Sequence, residues 1–207
     1  MNNMQSIIFT EFEAKFYPVD KNKYREKLRK LGAILKISER KMRRAIVDST
    51  IYPQLTCHYV RVRDEGDSIR ISAKTHAREG GKLSDQKEID IEVNDYDKAI
   101  KIIESLGFKF TIYQETLRET WKYKSAEITI DTWPGLKTYS EIEANSEEEV
   151  KSIAEELGLD WNKRIITGIK EVYAKIYGLT IKKVTEKLRY ITFESNPFER
   201  LPEVEDP

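Results

Sequence analysis

Residues 9–17 read FTEFEAKFY, and the alternation in this stretch limits the fold more than any other feature of the chain. On a strand, Glu11, Glu13 and Lys15 share one face, while Phe12, Ala14 and Phe16 share the other. The same alternation predicts strands over about 5–17, 41–50, 56–63, 67–75, 86–93, 109–121, 125–132 and 138–145. Short connections at 64–67 (DEGD) and 122–125 (KYKS) read as hairpins, so most of the sheet is expected to be antiparallel. A longer polar loop, expected to be mobile, is predicted over 78–85 (REGGKLSD).

Helical spacing of apolar residues appears over 20–31, 95–106 and 146–157, each opened by a capping residue and closed by Gly32, Gly107 or Gly158. Two further helical patterns follow at 168–177 and 180–190. The last residues, NPFERLPEVEDP, are proline-rich and acidic and read as a loosely held tail. The expected organisation is one domain over 1–178, followed by a C-terminal helix and tail over 179–207.

Any one of these strands could lie with its apolar side on a core and its charges in water. The set as a whole is harder to place that way, because the charges are strongly typed. One face carries Glu11, Glu13 and Lys15; Arg61 and Arg63; Arg70, Ser72 and Lys74; Glu88, Asp90 and Glu92; Thr116 and Arg118; Thr129 and Asp131; and Glu141 and Glu143. The interleaved residues are mostly apolar and need covering, which the amphipathic helices can supply. With helices outside, eight antiparallel strands curling into a barrel would send the ionic faces to the lumen. The expected fold is therefore α+β: an eight-stranded antiparallel β-barrel, or tunnel, with a charged interior and helices around it.

So many enclosed ions are costly unless they pair, stay hydrated or hold a balancing ligand. Carboxylates suit hard divalent cations, and Arg and Lys suit phosphate oxygens, so together they suit a metal-bound polyphosphate. Composition narrows the alternatives. Lys plus Arg and Asp plus Glu are both 36, for a net charge of zero, so no overall basic surface draws nucleic acid or a membrane. A single cysteine and two histidines argue against a disulfide and a zinc site, and no run long or apolar enough to span a bilayer appears, so a cytoplasmic location is expected.

EFEAK (11–15) fits the ExExK motif, and it is followed in order by RVR (61–63), ISAK (71–74), EIDIE (88–92), LRETW (117–121) and ITIDTWPGLKTYSEIEA (128–144). Over roughly residues 5–177 the chain resembles the CYTH superfamily, the triphosphate tunnel metalloenzymes. The resemblance implies that Glu11, Glu13, Glu141 and Glu143 bind one or two Mg²⁺ or Mn²⁺ ions, and that Lys15, Arg61, Arg63, Lys74 and Arg118 grip a triphosphate. Arg70, Glu88, Asp90, Glu92 and Asp131 are implied in support, the acids either pairing with the bases or contacting metal. Two departures stand out: Thr116 occupies a position where relatives commonly have lysine, and Lys137 replaces the second glycine of a Gly-Leu-Gly turn. Lys137 could restore the missing charge or be a solvated turn residue.

The family implies hydrolysis of thiamine triphosphate, ATP or inorganic triphosphate, or cyclisation of ATP to cyclic AMP and pyrophosphate as in class IV adenylate cyclases. A non-catalytic polyphosphate-binding module is the expectation from a different class. A monomer or homodimer is expected. No Walker-type GxxxxGK[ST] occurs. Tyr59, Trp121, Trp133, Tyr139 and Tyr173 are candidates to stack on an organic group at the tunnel mouth.

Overall fold

A computed structural model describes residues 9–77 and 80–204. The N-terminal ribbon is split at Glu11 into β1 (Phe9–Thr10) and β2 (Phe12–Phe16). After α1 (Lys21–Lys30) come β3 (Ile34–Asp48), β4 (Tyr59–Asp64), β5 (Ile69–Thr75) and β6 (Lys87–Val93). Then follow α2 (Tyr96–Ser105), β7 (Ile112–Tyr123), β8 (Ala126–Thr132), β9 (Tyr139–Ala144), α3 (Glu147–Glu156), α4 (Ile169–Tyr177), α5 (Ile181–Lys187) and β10 (Tyr190–Ile191).

The sheet order is β1-β6-β5-β4-β3-β7-β8-β9-β2. Since β1 pairs with β6 and β2 pairs with β9, the two ends of the curled sheet meet at one ribbon, through which Glu11 N–H also donates to the Gln86 carbonyl at 3.1 Å. All pairings among these strands are antiparallel, as the hairpin connections imply; β10 alone adds in parallel, on β7.

Period-two alternation then has a single consequence: charged residues turn into the curl and apolar ones turn out beneath helices. Tyr24 and Leu28 of α1 and Val150, Ile153 and Leu157 around α3 pack against Ala14, Ile128, Ile130 and Ile142, all buried. Each fully buried aliphatic side chain contributes roughly 1.5–3 kcal/mol from desolvation. Ala99 and Ile103 of α2 cover Ala45, Val47 and Val62 in the same way. In a third cluster, α4, α5 and the residues after them pack around Tyr173, Ile176 and Phe198 against Tyr17, Trp133 and Tyr139. Caps agree with the sequence: Asp20, Asp95, Ser146 and Thr180 each accept backbone N–H groups of the helices they open.

Several expectations are corrected. The second long strand begins at Ile34 rather than 41, and it was hidden because its register shifts between Leu35 and Ile37 and again between Ile37 and Arg40, which breaks the alternation. The final helix stops at Lys187, and a two-residue strand follows, too short to have a period. Of the polar loop, residues 78 and 79 lie outside the described residues, while Leu83 is buried in the core. The described part of the tail, which ends at residue 204, is docked: Phe198 is 1% exposed, its ring 4.4 Å from that of Tyr173 and 5.0 Å from that of Tyr177, and residues 205–207 lie outside the described residues. Helical cover is also incomplete, because Ile91 on the outer face of β6 stays exposed.

Candidate functional site

The curl encloses a cavity of about 1110 Å³. All fourteen site residues named from the sequence line it: Glu11, Glu13, Lys15, Arg61, Arg63, Arg70, Lys74, Glu88, Asp90, Glu92, Arg118, Asp131, Glu141 and Glu143. Strand pairing sets them side by side. Glu13 lies opposite Glu143 and Lys15 opposite Glu141 across β2 and β9, Lys74 opposite Glu88 across β5 and β6, and Arg118 opposite Asp131 across β7 and β8.

The bases are held by acids. Lys74 lies 2.6 Å from Glu11 and 3.2 Å from both Glu13 and Glu88, while Arg61 reaches Glu88 at 3.1 Å. Lys15 pairs with Glu13 and lies 3.6 Å from Glu141. Arg118 bridges Asp131, at 2.7 Å, and Glu141. Towards the open mouth, Arg70 and Asp90 pair at 2.5 Å, and both are partly exposed, as is Glu92. Even so, the Nε groups of Arg61 and Arg63 are buried without a hydrogen-bond acceptor among the described residues. Buried guanidinium donors left without acceptors are costly unless an anion takes them up.

Acids outnumber bases inside: thirteen carboxylate residues line the cavity against nine Lys or Arg. Burial raises the pKa of several of these acids. Burial, against Lys74 and reinforced by a hydrogen bond to Glu88 and the charge of Glu13, pushes Glu11 up to about 9. Desolvation in the cavity, with the charge of Glu13 adding to it, raises Glu143 to about 7. Burial also lifts Asp131 to about 6, Glu141 adding to the effect and Arg118 opposing it. Glu13 goes the other way: burial would raise it, but Lys15 and Lys74 outweigh burial and hold it well below the usual carboxylate range.

Glu11, Glu13 and Glu143 each offer a carboxylate oxygen within 4.8 Å of the others. Three converging oxygens, two of them on acids whose pKa is raised chiefly by burial, fit a hard divalent cation. Glu141 is not in this trio; it pairs with Arg118 and lies 3.6 Å from Lys15.

Other lining residues escaped the sequence reading. Glu65 is buried at the β4–β5 hairpin, where it pairs with Arg63 and lies 3.4 Å from Arg40. Arg44 points into the cavity from β3, and its signal was present in the spacing of Arg40, Met42 and Arg44 along that strand. Thr116 is buried on the lining. Lys137 lies off the cavity lining, half-exposed on its turn and 3.4 Å from Glu203. Among the aromatic candidates, Tyr59, Trp133 and Tyr139 line the cavity, whereas Trp121 and Tyr173 are buried in the outer clusters and are corrected to core residues.

Fold and site together define an α+β protein built around a charge-lined tunnel. The CYTH domain family model matches residues 10–172, and the chain belongs to that family. Over 139 residues it is 31% identical to the "Putative adenylate cyclase" of Methanocaldococcus jannaschii, covering 64% of this chain and 75% of that protein. Among solved structures it resembles a "putative adenylate cyclase" from Vibrio parahaemolyticus, with a TM-score of 0.66, 14% identity, and 80% and 98% of the two chains covered. It also resembles the Hippeastrum "Putative adenylyl cyclase" whose description reports a dominant triphosphatase activity, with a TM-score of 0.51, 13% identity, and 82% and 97% covered. Among the described residues no helix is long and apolar enough to cross a membrane.

Proposed function

We propose that the protein is a divalent-metal-dependent hydrolase of triphosphate-containing substrates bound in the tunnel. The observation that carries this reading is the adjacency, inside one cavity, of a carboxylate trio within 4.8 Å and a set of buried bases, two of which present unsatisfied Nε donors. A linear chain of phosphates matches that distribution, since fixed cations along its length neutralise charge as it shifts between bridging and non-bridging oxygens.

Lys15, Arg61, Arg63, Lys74 and Arg118 bind and orient the phosphates in this reading, while Asp131, Glu88 and Glu141 fix the rotamers of those bases through the pairs described above. Glu11, Glu13 and Glu143 hold the cation, Mg²⁺ or Mn²⁺. When bound, that ion supplies Lewis acidity to phosphate oxygens and to a nearby water. In hydrolysis the water oxygen attacks the terminal phosphorus, the bridging P–O bond breaks, and the proton leaves to solvent at the open mouth.

A second reading is favoured by the likeness to the Methanocaldococcus protein. Attack of a ribose 3′-hydroxyl on the α-phosphorus of ATP, with pyrophosphate leaving, would use the same lining. Incubation with Mg²⁺ or Mn²⁺ and ATP, thiamine triphosphate or inorganic triphosphate separates the readings. Orthophosphate is the expected product; cyclic AMP would replace hydrolysis by cyclisation, and binding without product would make the tunnel a binding module. Glu13→Gln is expected to abolish metal-dependent turnover in a folded protein, and Arg63→Ala to raise KM. Unaltered kinetics in both would refute these assignments.

A further inference from the structure

Arg44 differs from every other Lys or Arg lining the cavity. Arg40 faces Glu65 and Asp67, Arg61 faces Glu88, Arg63 faces Glu65, Arg70 faces Asp90, Arg118 faces Asp131 and Glu141, Lys170 faces Asp48, and Lys15 and Lys74 face the glutamates described above. Among the described residues Arg44 has no carboxylate within ion-pairing distance; its Nε donates at 2.9 Å to the neutral Oε1 of Gln114. The rest of its guanidinium fork is unused by that bond.

It is also surrounded by like charge. Cross-strand pairing puts Arg44 opposite Arg63 on β4 and opposite Gln114 on β7, next along the same face from Thr116 and Arg118. Burial, with the charges of Arg61 and Arg118, lowers its pKa to about 10, against the opposing influence of Tyr59.

The group is nevertheless rigidly placed. Its guanidinium carbon lies 4.3 Å from the centre of the Trp133 ring. Gln114 is buried and donates from Nε2 to the Leu188 carbonyl at 2.7 Å, and β10 pairs Ile191 with Gln114. Leu188 and Ile191 lie beyond residues 10–172, the stretch matched by the family model. The chain's C-terminal extension thus sets the glutamine that aims the arginine.

We propose that Arg44 is a phosphate-binding residue of the tunnel, a guanidinium held out for an anion by Gln114 and the C-terminal extension, supplying from β3 the positive charge that Thr116 does not supply from β7. This rests on the triphosphate reading above and adds to it a contact and its support. A guanidinium engaged by no acid offers its remaining N–H groups to phosphate oxygens without first breaking an ion pair.

The test is calorimetric titration of inorganic triphosphate, at fixed Mg²⁺, into the full-length wild type, Arg44→Gln, Arg44→Lys and Arg63→Ala. Loss of a charged hydrogen-bonding partner is expected to weaken binding about ten- to hundredfold in Arg44→Gln. Arg44→Lys is expected to fall between Arg44→Gln and wild type, because it keeps the charge without the fork. A merely structural arginine would lower the melting temperature and leave the affinity of the folded variant unchanged, and that outcome overturns the proposal. If Arg44→Gln does not fold, the lysine variant decides: a drop of about threefold or more supports the contact, and wild-type affinity removes it. Wild-type affinity in Arg44→Gln alongside weakened Arg63→Ala would sink this inference and leave the triphosphate reading standing, whereas no binding by the wild type would remove both.

Discussion

Filling the carboxylate trio with Mg²⁺ is expected to release protons, in a number set by pH. Glu11 is carried to about 9 by burial with the help of Glu88 and Glu13, and Glu143 to about 7 by desolvation and Glu13. Carboxylates must ionise to hold a cation. At pH 8 those values leave Glu11 about nine-tenths and Glu143 about one-tenth protonated, so roughly one proton leaves per site filled. At pH 6 both are at least about nine-tenths protonated and close to two leave, so apparent affinity falls about a thousandfold over those two pH units. The measurement is the binding enthalpy of Mg²⁺ to metal-free protein in buffers of unequal ionisation enthalpy, with Glu11→Gln as the control that should lose the proton seen at pH 8. Heats that do not depend on the buffer at either pH would show these acids already ionised, and the argument from their burial would fail. The same shift bears on stability: Glu11 ionises near 4.5 when unfolded and near 9 when folded, so the unfolded chain binds fewer protons between those values. The metal-free protein should therefore lose stability as pH rises through that window.

Two changes outside the trio test the packing of the C-terminal cluster. Phe198→Ala removes a ring that is 1% exposed and packed at a tilt against Tyr173 and Tyr177; a cost of about 3–5 kcal/mol is expected, corresponding to a fall of roughly 10 °C in Tm for a chain of this size. A melt superimposable on wild type would mean the tail is not docked as described. Gly135→Ala should also destabilise, by about 1 kcal/mol or more, because φ is +80° there and the added Cβ would meet Asn196 Oδ1 at 3.0 Å and Phe198 Cβ at 3.1 Å. Full retention of Tm in that variant would refute the close approach of turn and tail.

How far the sequence could be read depended on whether a signal repeats. Alternation in EFEAK, RVR, EIDIE and SEIEA recurs on strand after strand, and a period of two leaves only one way for such residues to face once helices cover the other side. Where β3 slips register near Ile37 the alternation breaks, and a seven-residue reach of strand, with Arg40 at its end, went unread. The tail was misjudged for a related reason: prolines and acids set its composition, while one phenylalanine anchors it.

Most of the tunnel lining, the outward helices and the family motifs follow from a local pattern repeated over many strands, because strand geometry puts alternate residues on opposite faces. Partnership does not follow from local pattern. That Glu143 joins Glu11 and Glu13 while Glu141 goes to Arg118 and Lys15, and that Arg44 is left without an acid, depends on which strands become neighbours and how far they are staggered. Electrostatic energy falls off with distance across the lumen, and distances across the lumen exist only once the sheet has curled and its first ribbon has joined both ends.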